Sequence, residues 1–244
     1  MHSILTITRR ELNGYFSSPL AYVFIVIFLA LSGGMTFYLG GWLDRGRADL
    51  DTFFNWHPWL YLFLVPAIGM RLWAEERRTG TIEFLTTLPV TTTEAVVGKF
   101  LAAWLFIGIA LLMTFPMWLT VNYLGNPDNG VILAGYIGSW LLAGGMLAIS
   151  TAISALTKNQ VIAFVLAAAT CFLFLMSGVE IVQALFSSWA SDAVVDMVTN
   201  LSLLTSFNAI VSGVIDLRHL VLFGSLIGIS LFINVAVVDL KKGA

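Results

Sequence analysis

Of the stretches that contain no Asp, Glu, Lys or Arg, six read as membrane runs: residues 19–43, 52–70, 100–127, 129–157, 159–179 and 219–238. Each is long enough for the roughly 20 residues that carry an α-helix across the hydrocarbon layer. Within them, sequences such as FLAAWLFIGIALLMTFPMWL are apolar on every face, whereas a spanning β-barrel would alternate apolar and polar positions in segments of about ten. Helices satisfy their own backbone groups in lipid. The pattern therefore predicts an all-α polytopic membrane protein with six crossings. The first run exceeds the h-region of a signal peptide, follows a polar lead of 18 residues and has no small-residue cleavage site, so it reads as a retained span.

The segments between runs have their own periodicity. Residues 1–18, MHSILTITRRELNGYFSS, place Ile4, Leu5, Leu12, Tyr15 and Phe16 near one helical face and turn Arg9 and Arg10 away, which predicts an interfacial amphipathic helix. Ser17-Ser18-Pro19 ends it and opens the first span. Asn122–Gly130 and Thr157–Gln160 read as tight turns. Residues 180–218 are a longer outer segment whose apolar pieces are too short to cross, which predicts short re-entrant helices. No repeat or low-complexity tract divides the chain, and residues 1–244 read as one membrane domain.

Composition agrees. Charged residues are 11% and hydrophobic residues 59%, against about 25% charged in soluble domains, and mean hydropathy is +0.91. With the N-terminus in the cytoplasm, the inner segments hold Arg9, Arg10, Arg71, Arg77, Arg78, Lys99, Lys158, Lys241 and Lys242. The outer ones hold Arg45, Arg47 and Arg218. That bias places both ends inside. Cys171 stands alone in mid-span, and His2, His57 and His219 are isolated, so no disulfide framework or metal site is expected.

The most charged stretch, RLWAEERRTGTIEFLTTLPVTTTEAVVGK, joins the second and third runs. Arg71 precedes Glu75 by four residues, on one helical face. EERR then marks the exit from the membrane. Gly80 and Glu83 supply parts of a helix start, Ile82, Leu85 and Leu88 recur every three residues, and Pro89 stops the helix. Thr91 and Glu94 form a full capping box that opens the next helix. A short amphipathic crosspiece over 80–89 is predicted between two membrane helices.

This stretch resembles the signature of ABC-2-type transporter permeases, in which an acidic-basic exit, a Gly-Thr-x-Glu step and a Leu-Pro sequence form a coupling helix. SFNAIVSGVIDLRHLVLF (Ser206–Phe223) resembles that family's approach to its last span, and TRRELNGYFSSPLAYVF resembles the gliding-motility-associated, GldF-like branch. The resemblance implies that Glu75, Glu76, Arg77, Arg78, Gly80, Thr81, Glu83, Leu85, Leu88 and Pro89 dock on a separate ATPase subunit, which holds the ATP and Mg. It also implies an inner-membrane location and pairing with a second permease copy or a paralogue. The chain has no G-x-x-x-x-G-K-[ST] loop, so no bound cofactor and no enzymatic activity of its own are expected.

Other features have two readings. Pro66 and Pro116 are expected to kink spans two and three, and Pro66 to shape a pathway. Glu180 reads first as a boundary anchor and second as a gate at the outer mouth. Gly224-x-x-x-Gly228 and Ser150-x-x-x-Ser154 are small-residue ridges, expected to pack within the chain, with a dimer seam as the alternative. An ion-coupled carrier needs ionisable groups within its spans, and the six runs hold no Asp, Glu, Lys or Arg. The rival function is an ATP-independent scaffold or assembly factor.

Overall fold

A computed structural model of the chain describes residues 2–80, 90–179, 182 and 199–241. The described residues form helices and no strands. In chain order these are α1 (His2–Phe16), α2 (Pro19–Gly34) continuing into a π turn (Met35–Leu39), α3 (Asp51–Asn55), α4 (His57–Gly69) and α5 (Arg71–Thr79). After them come α6 (Thr92–Leu112), α7 (Phe115–Leu124), α8 (Asn129–Leu156), α9 (Gln160–Met176), α10 (Leu203–Val211) and α11 (Leu217–Lys241).

Among the described residues, four helical stretches are long and apolar enough to cross a membrane: Pro19–Leu39, Thr92–Leu124, Asn129–Leu156 and Leu217–Lys241. The runs 52–70 and 159–179 give shorter helices, α4 with 13 residues and α9 with 17. A charge-free run counts residues, whereas a span needs unbroken turns. The second run is divided where α3 ends at Asn55 and α4 restarts, with Pro58 in its first turn. The third bends at Met113 and Thr114, and Pro116 lies in the first turn of α7, where its missing N–H costs nothing.

Local chemistry sets most helix ends. Ser18 caps α2 ahead of Pro19. Thr91 and Glu94 form the complete capping box of α6. Asp128 caps α8, Asn159 caps α9 and Ser202 caps α10, each through a side-chain oxygen that accepts a first-turn N–H. Gly80, expected to help start the next helix, instead ends α5 in the left-handed conformation at φ +74°, which glycine adopts without a Cβ penalty.

Helix α8 is the central pillar. It carries small residues all round, as in AGGMLAISTAISA, so neighbours approach on every side, and 78% of its most apolar stretch is buried against 22% for α11. Its Ser150–Ser154 ridge packs against the α4–α5 junction, where a Cβ on Gly69 would fall 2.5 Å from Ser150 Cβ. The Gly224–Gly228 ridge of α11 does not pack this way, and among the described residues a Cβ at either glycine meets nothing within 4 Å. On α1, Ile4, Leu12, Tyr15 and Phe16 are partly buried, but Leu5 is 66% exposed and points outward. At the start of α4, His57 is enclosed by Phe28, Phe53, Phe54 and Tyr61, with its Nδ1 2.7 Å from Ser139 Oγ on α8.

Helices α6 and α8 are clasped by a reciprocal pair. The Trp104 and Trp140 rings stack at 4.3 Å, and each indole N–H donates to the other's carbonyl, at 2.9 and 3.3 Å. Each ring lies over the glycine four residues beyond the other, Trp104 over Gly144 and Trp140 over Gly108. Added Cβ atoms there would fall 2.6 and 2.9 Å from the indole nitrogens. Gly144→Ala is therefore expected to part the stack and cost about 1–3 kcal/mol, as overpacking does. A lowered unfolding temperature in detergent, with a change in near-ultraviolet circular dichroism, is the expected result; an unchanged tryptophan signal would show that the stack does not depend on Gly144.

Candidate functional site

At the end of the bundle where α5 stops and α6 begins, five helices are tied by charge. The centre is Lys99, whose side chain is 6% exposed. Its Nζ lies 2.6 Å from Glu76 Oε1 on α5 and 3.4 Å from Glu11 Oε1 on α1, and 5.6 Å from the ring centroid of Trp73. A lysine this deep must be paired to stay charged, and two carboxylates and an aromatic face meet that need.

Outward from Lys99, Arg77 Nη1 donates to the Ala155 carbonyl at 2.9 Å, and Lys241 Nζ to the Leu156 carbonyl at 2.5 Å. These carbonyls belong to the last turn of α8, where no intrahelical donor reaches them and the helix dipole favours cations. Thr92, at the start of α6, donates its hydroxyl to Asp239 near the end of α11. Thr8 of α1 lies 3.2 Å from the Gly98 carbonyl of α6. The girdle thus includes α1, α5, α6, α8 and α11.

The joint between α4 and α5 is held by a residue 80 positions away. Ser154 donates to the Met70 carbonyl at 2.8 Å and accepts the N–H groups of Trp73 and Ala74 at 3.2 and 3.0 Å. It does from α8 what a serine N-cap does locally, satisfying first-turn donors of α5. The charged helix is fixed at its start by a hydroxyl and along its flank by Lys99 and α8.

The EERR residues divide accordingly. Glu76 and Arg77 turn inward and hold α5. Glu75 is half-exposed and pairs with Arg71 at 3.6 Å, as the i,i+4 spacing predicts. Arg78 and Gly80 are exposed. Thr81, Glu83, Leu85, Leu88 and Pro89 lie outside the described residues, as does Glu180. Pro66 is buried inside α4. Sequence reasoning gave no site role to Lys99, Glu11, Ser154 or Asp239, although it counted Lys99 among the inner cations and Ser154 in a small-residue ridge. The one signal that could have found Lys99 is a lysine eight residues inside a helix that is otherwise apolar beyond it.

Burial opposes the charge of Glu11, but Lys99 and Arg10 outweigh it and hold its carboxyl below the usual 4.5. A carboxyl with a depressed folded pKa stabilises the fold fully above its unfolded value, and the contribution is lost as pH falls through the folded value. Wild-type protein should therefore exceed Glu11→Gln in stability by a constant margin above pH 4.5, and the margin should shrink on further acidification. Unfolding temperatures measured across that range check this; a margin independent of pH would remove the ion pair as its source.

Beside this girdle runs a cleft of about 620 Å³ between α1, α2 and the α4–α5 unit. Its walls are apolar along Phe24, Ile27, Leu64 and Ile68, and its floor is polar, with Glu11, Arg71, Glu75 and Lys99.

Comparison with known families decides the kind of molecule. The sequence model of the family described as ABC-2 family transporter protein matches residues 59–238. The chain belongs to the ABC-2 family of transporter proteins. No curated protein matches the chain. In this ABC-2 family member the matched region begins within α4, includes α5 with its exit and continues into α11, so most of the girdle falls inside it. Helix α1, with Glu11, precedes it. This is a multi-pass membrane protein whose family role is that of a transport subunit.

Proposed function

We propose that the chain is the permease subunit of an ATP-driven ABC transporter or exporter of the inner membrane. It couples hydrolysis by a separate nucleotide-binding subunit, which carries ATP and Mg, to substrate movement or mechanical work. In this reading α4–α5 and α9 complete six crossings, both ends are cytoplasmic, residues 1–18 form the interfacial helix, and 180–218 form the outer re-entrant segment. A second permease copy or paralogue completes the assembly. Placement in the GldF-like branch rests on the N-terminal sequence alone, which precedes the matched region.

The observation that carries the proposal is the rigid mounting of α5 directly before the coupling segment 80–89. A push delivered through Thr81, Glu83, Leu85, Leu88 and Pro89 enters a helix anchored to α1, α6 and α8, and elements so joined move as a body. The outward groups Glu75 and Arg78 remain available to a partner, while Glu76 and Arg77 hold the lever.

The test is co-expression with the ATPase encoded nearby, followed by purification of the complex and measurement of turnover. Gly80→Val, which forces a β-branched residue into positive φ, and Glu83→Ala should leave the complex assembled but reduce stimulated turnover about tenfold, equivalent to roughly 1.4 kcal/mol of coupling. A chain that binds no nucleotide-binding subunit would be a scaffold, and dependence on a proton gradient would mark a carrier.

A further inference from the structure

We infer that the cleft between α2 and the α4–α5 unit binds one zwitterionic amphiphile, with an ammonium–phosphate headgroup at Arg71 and Glu75 and its hydrocarbon lying between α2 and α4. The inference rests on the membrane-transport reading and deepens it by naming a ligand class.

Size and polarity come first. About 620 Å³ falls within the roughly 300–1,000 Å³ of small-molecule sites. One wall is Val23, Phe24 and Ile27, the facing one Leu64, Ala67 and Ile68, and the charged residues collect at the end nearest the girdle. A wholly apolar ligand would shut the half-exposed Arg71–Glu75 pair away from water without a partner of its own, and a wholly polar one would leave the walls without contact. An amphiphile satisfies both.

Charge selects the headgroup. The floor holds three carboxylates, Glu11, Glu75 and Glu76, and two cations, Arg71 and Lys99. Lys99 is engaged by Glu76 and Glu11. Among the described residues Arg71 meets one carboxylate, Glu75, at 3.6 Å, which is too long for a hydrogen bond. That pair is half-exposed, with side chains 40% and 42% accessible, so it opens to a ligand at little cost. The planar guanidinium suits a phosphate in two-point contact, and Glu75 suits the ammonium. An anionic headgroup lacks the ammonium and meets a net negative floor. Gln160 also lines the cleft, and its buried Nε2 has no acceptor among the described residues. A phosphate or ester oxygen supplies one.

The experiment titrates the full chain, purified in detergent, with phospholipids of identical acyl chains and counts bound molecules by native mass spectrometry. The expected result is one ethanolamine phospholipid held about tenfold more tightly than its glycerol counterpart. Glu75→Gln should erase that preference, Arg71→Ala should weaken both phospholipids, Gln160→Leu should weaken binding severalfold, and Ala67→Trp should fill the cleft and abolish the retained molecule. Inorganic phosphate and a single-chain alkylammonium, added separately, should not compete at equal concentration. Equal retention of both phospholipids, competition by phosphate alone, retention unaffected by Ala67→Trp, or a dimer whose second copy closes the cleft without lipid would each overturn the inference. Unfolding temperatures of the variants separate lost sites from lost folds. Binding of the ATPase subunit is measured in parallel. A complex that forms without lipid removes only the ligand, and lipid held by a chain that recruits no ATPase removes only the transporter reading.

Discussion

Lys99→Met is expected to lower the stability of the detergent-solubilised chain by about 2–3 kcal/mol, between the roughly 0–1 of an exposed ion pair and the 3–5 of a buried pair that loses one partner. The cost arises because Glu76 and Glu11 remain, 26% and 22% exposed, without the cation that offset their desolvation. Arg10 still pairs with Glu11 at 3.0 Å, which keeps the cost below that of a fully buried pair that loses one partner. The double variant Lys99→Met with Glu76→Leu should recover much of it, because an apolar pair strands no charge. Denaturant unfolding of the four members of this cycle measures the coupling directly. Equal, additive losses would show that the geometry at 2.6 Å carries no coupling. The recovered double variant should still transmit poorly to the ATPase, since α5 would be packed against α6 but no longer fixed by charge to both α1 and α6.

Ser154→Ala should have the second large effect, about 2–4 kcal/mol. One hydroxyl serves three backbone groups at a buried joint, and each buried group left unmet costs about 1–3 kcal/mol. Trp73 and Ala74, whose N–H groups would be stranded, are 1% and 0% exposed. Ser150→Ala is the control, because the Ser150 hydroxyl donates within its own helix to the Met146 carbonyl at 2.7 Å and its loss strands no backbone N–H of another helix. A Ser154 variant as stable as the Ser150 variant would show that the α4–α5 break needs no support from α8. If the joint sets the direction of α5, Ser154→Ala should also lower stimulated ATPase turnover, and Ser150→Ala should not.

Much of the helical layout could be read from the chain because the forces that set it are local. The capping box at Thr91 and Glu94, Ser18 before Pro19, the turn at Asn159 and the Arg71–Glu75 pair all act within four residues. Apolar length identified membrane segments, but it counted a divided run and a short one as equal to the four long helices. Glycine at position 80 suits either end of a helix, and only its backbone angle assigned it to the end of α5. The Gly224–Gly228 ridge has the spacing of a packing face but no neighbour against it among the described residues, since spacing cannot say which side of a helix its neighbours occupy.

By itself the sequence determined that the chain lies in a membrane as helices, where most of those helices begin, and which charged stretch joins the second run to the third. These follow from apolar length and near-neighbour hydrogen bonding. Tertiary structure alone decided that Lys99 binds carboxylates 23 and 88 residues away, that Ser154 completes a helix start 80 residues behind it, and that EERR divides into an inward and an outward pair. The physical reason is burial: a charge or hydroxyl shut away from water must find its partner wherever the fold brings one, and that distance is not written in local pattern.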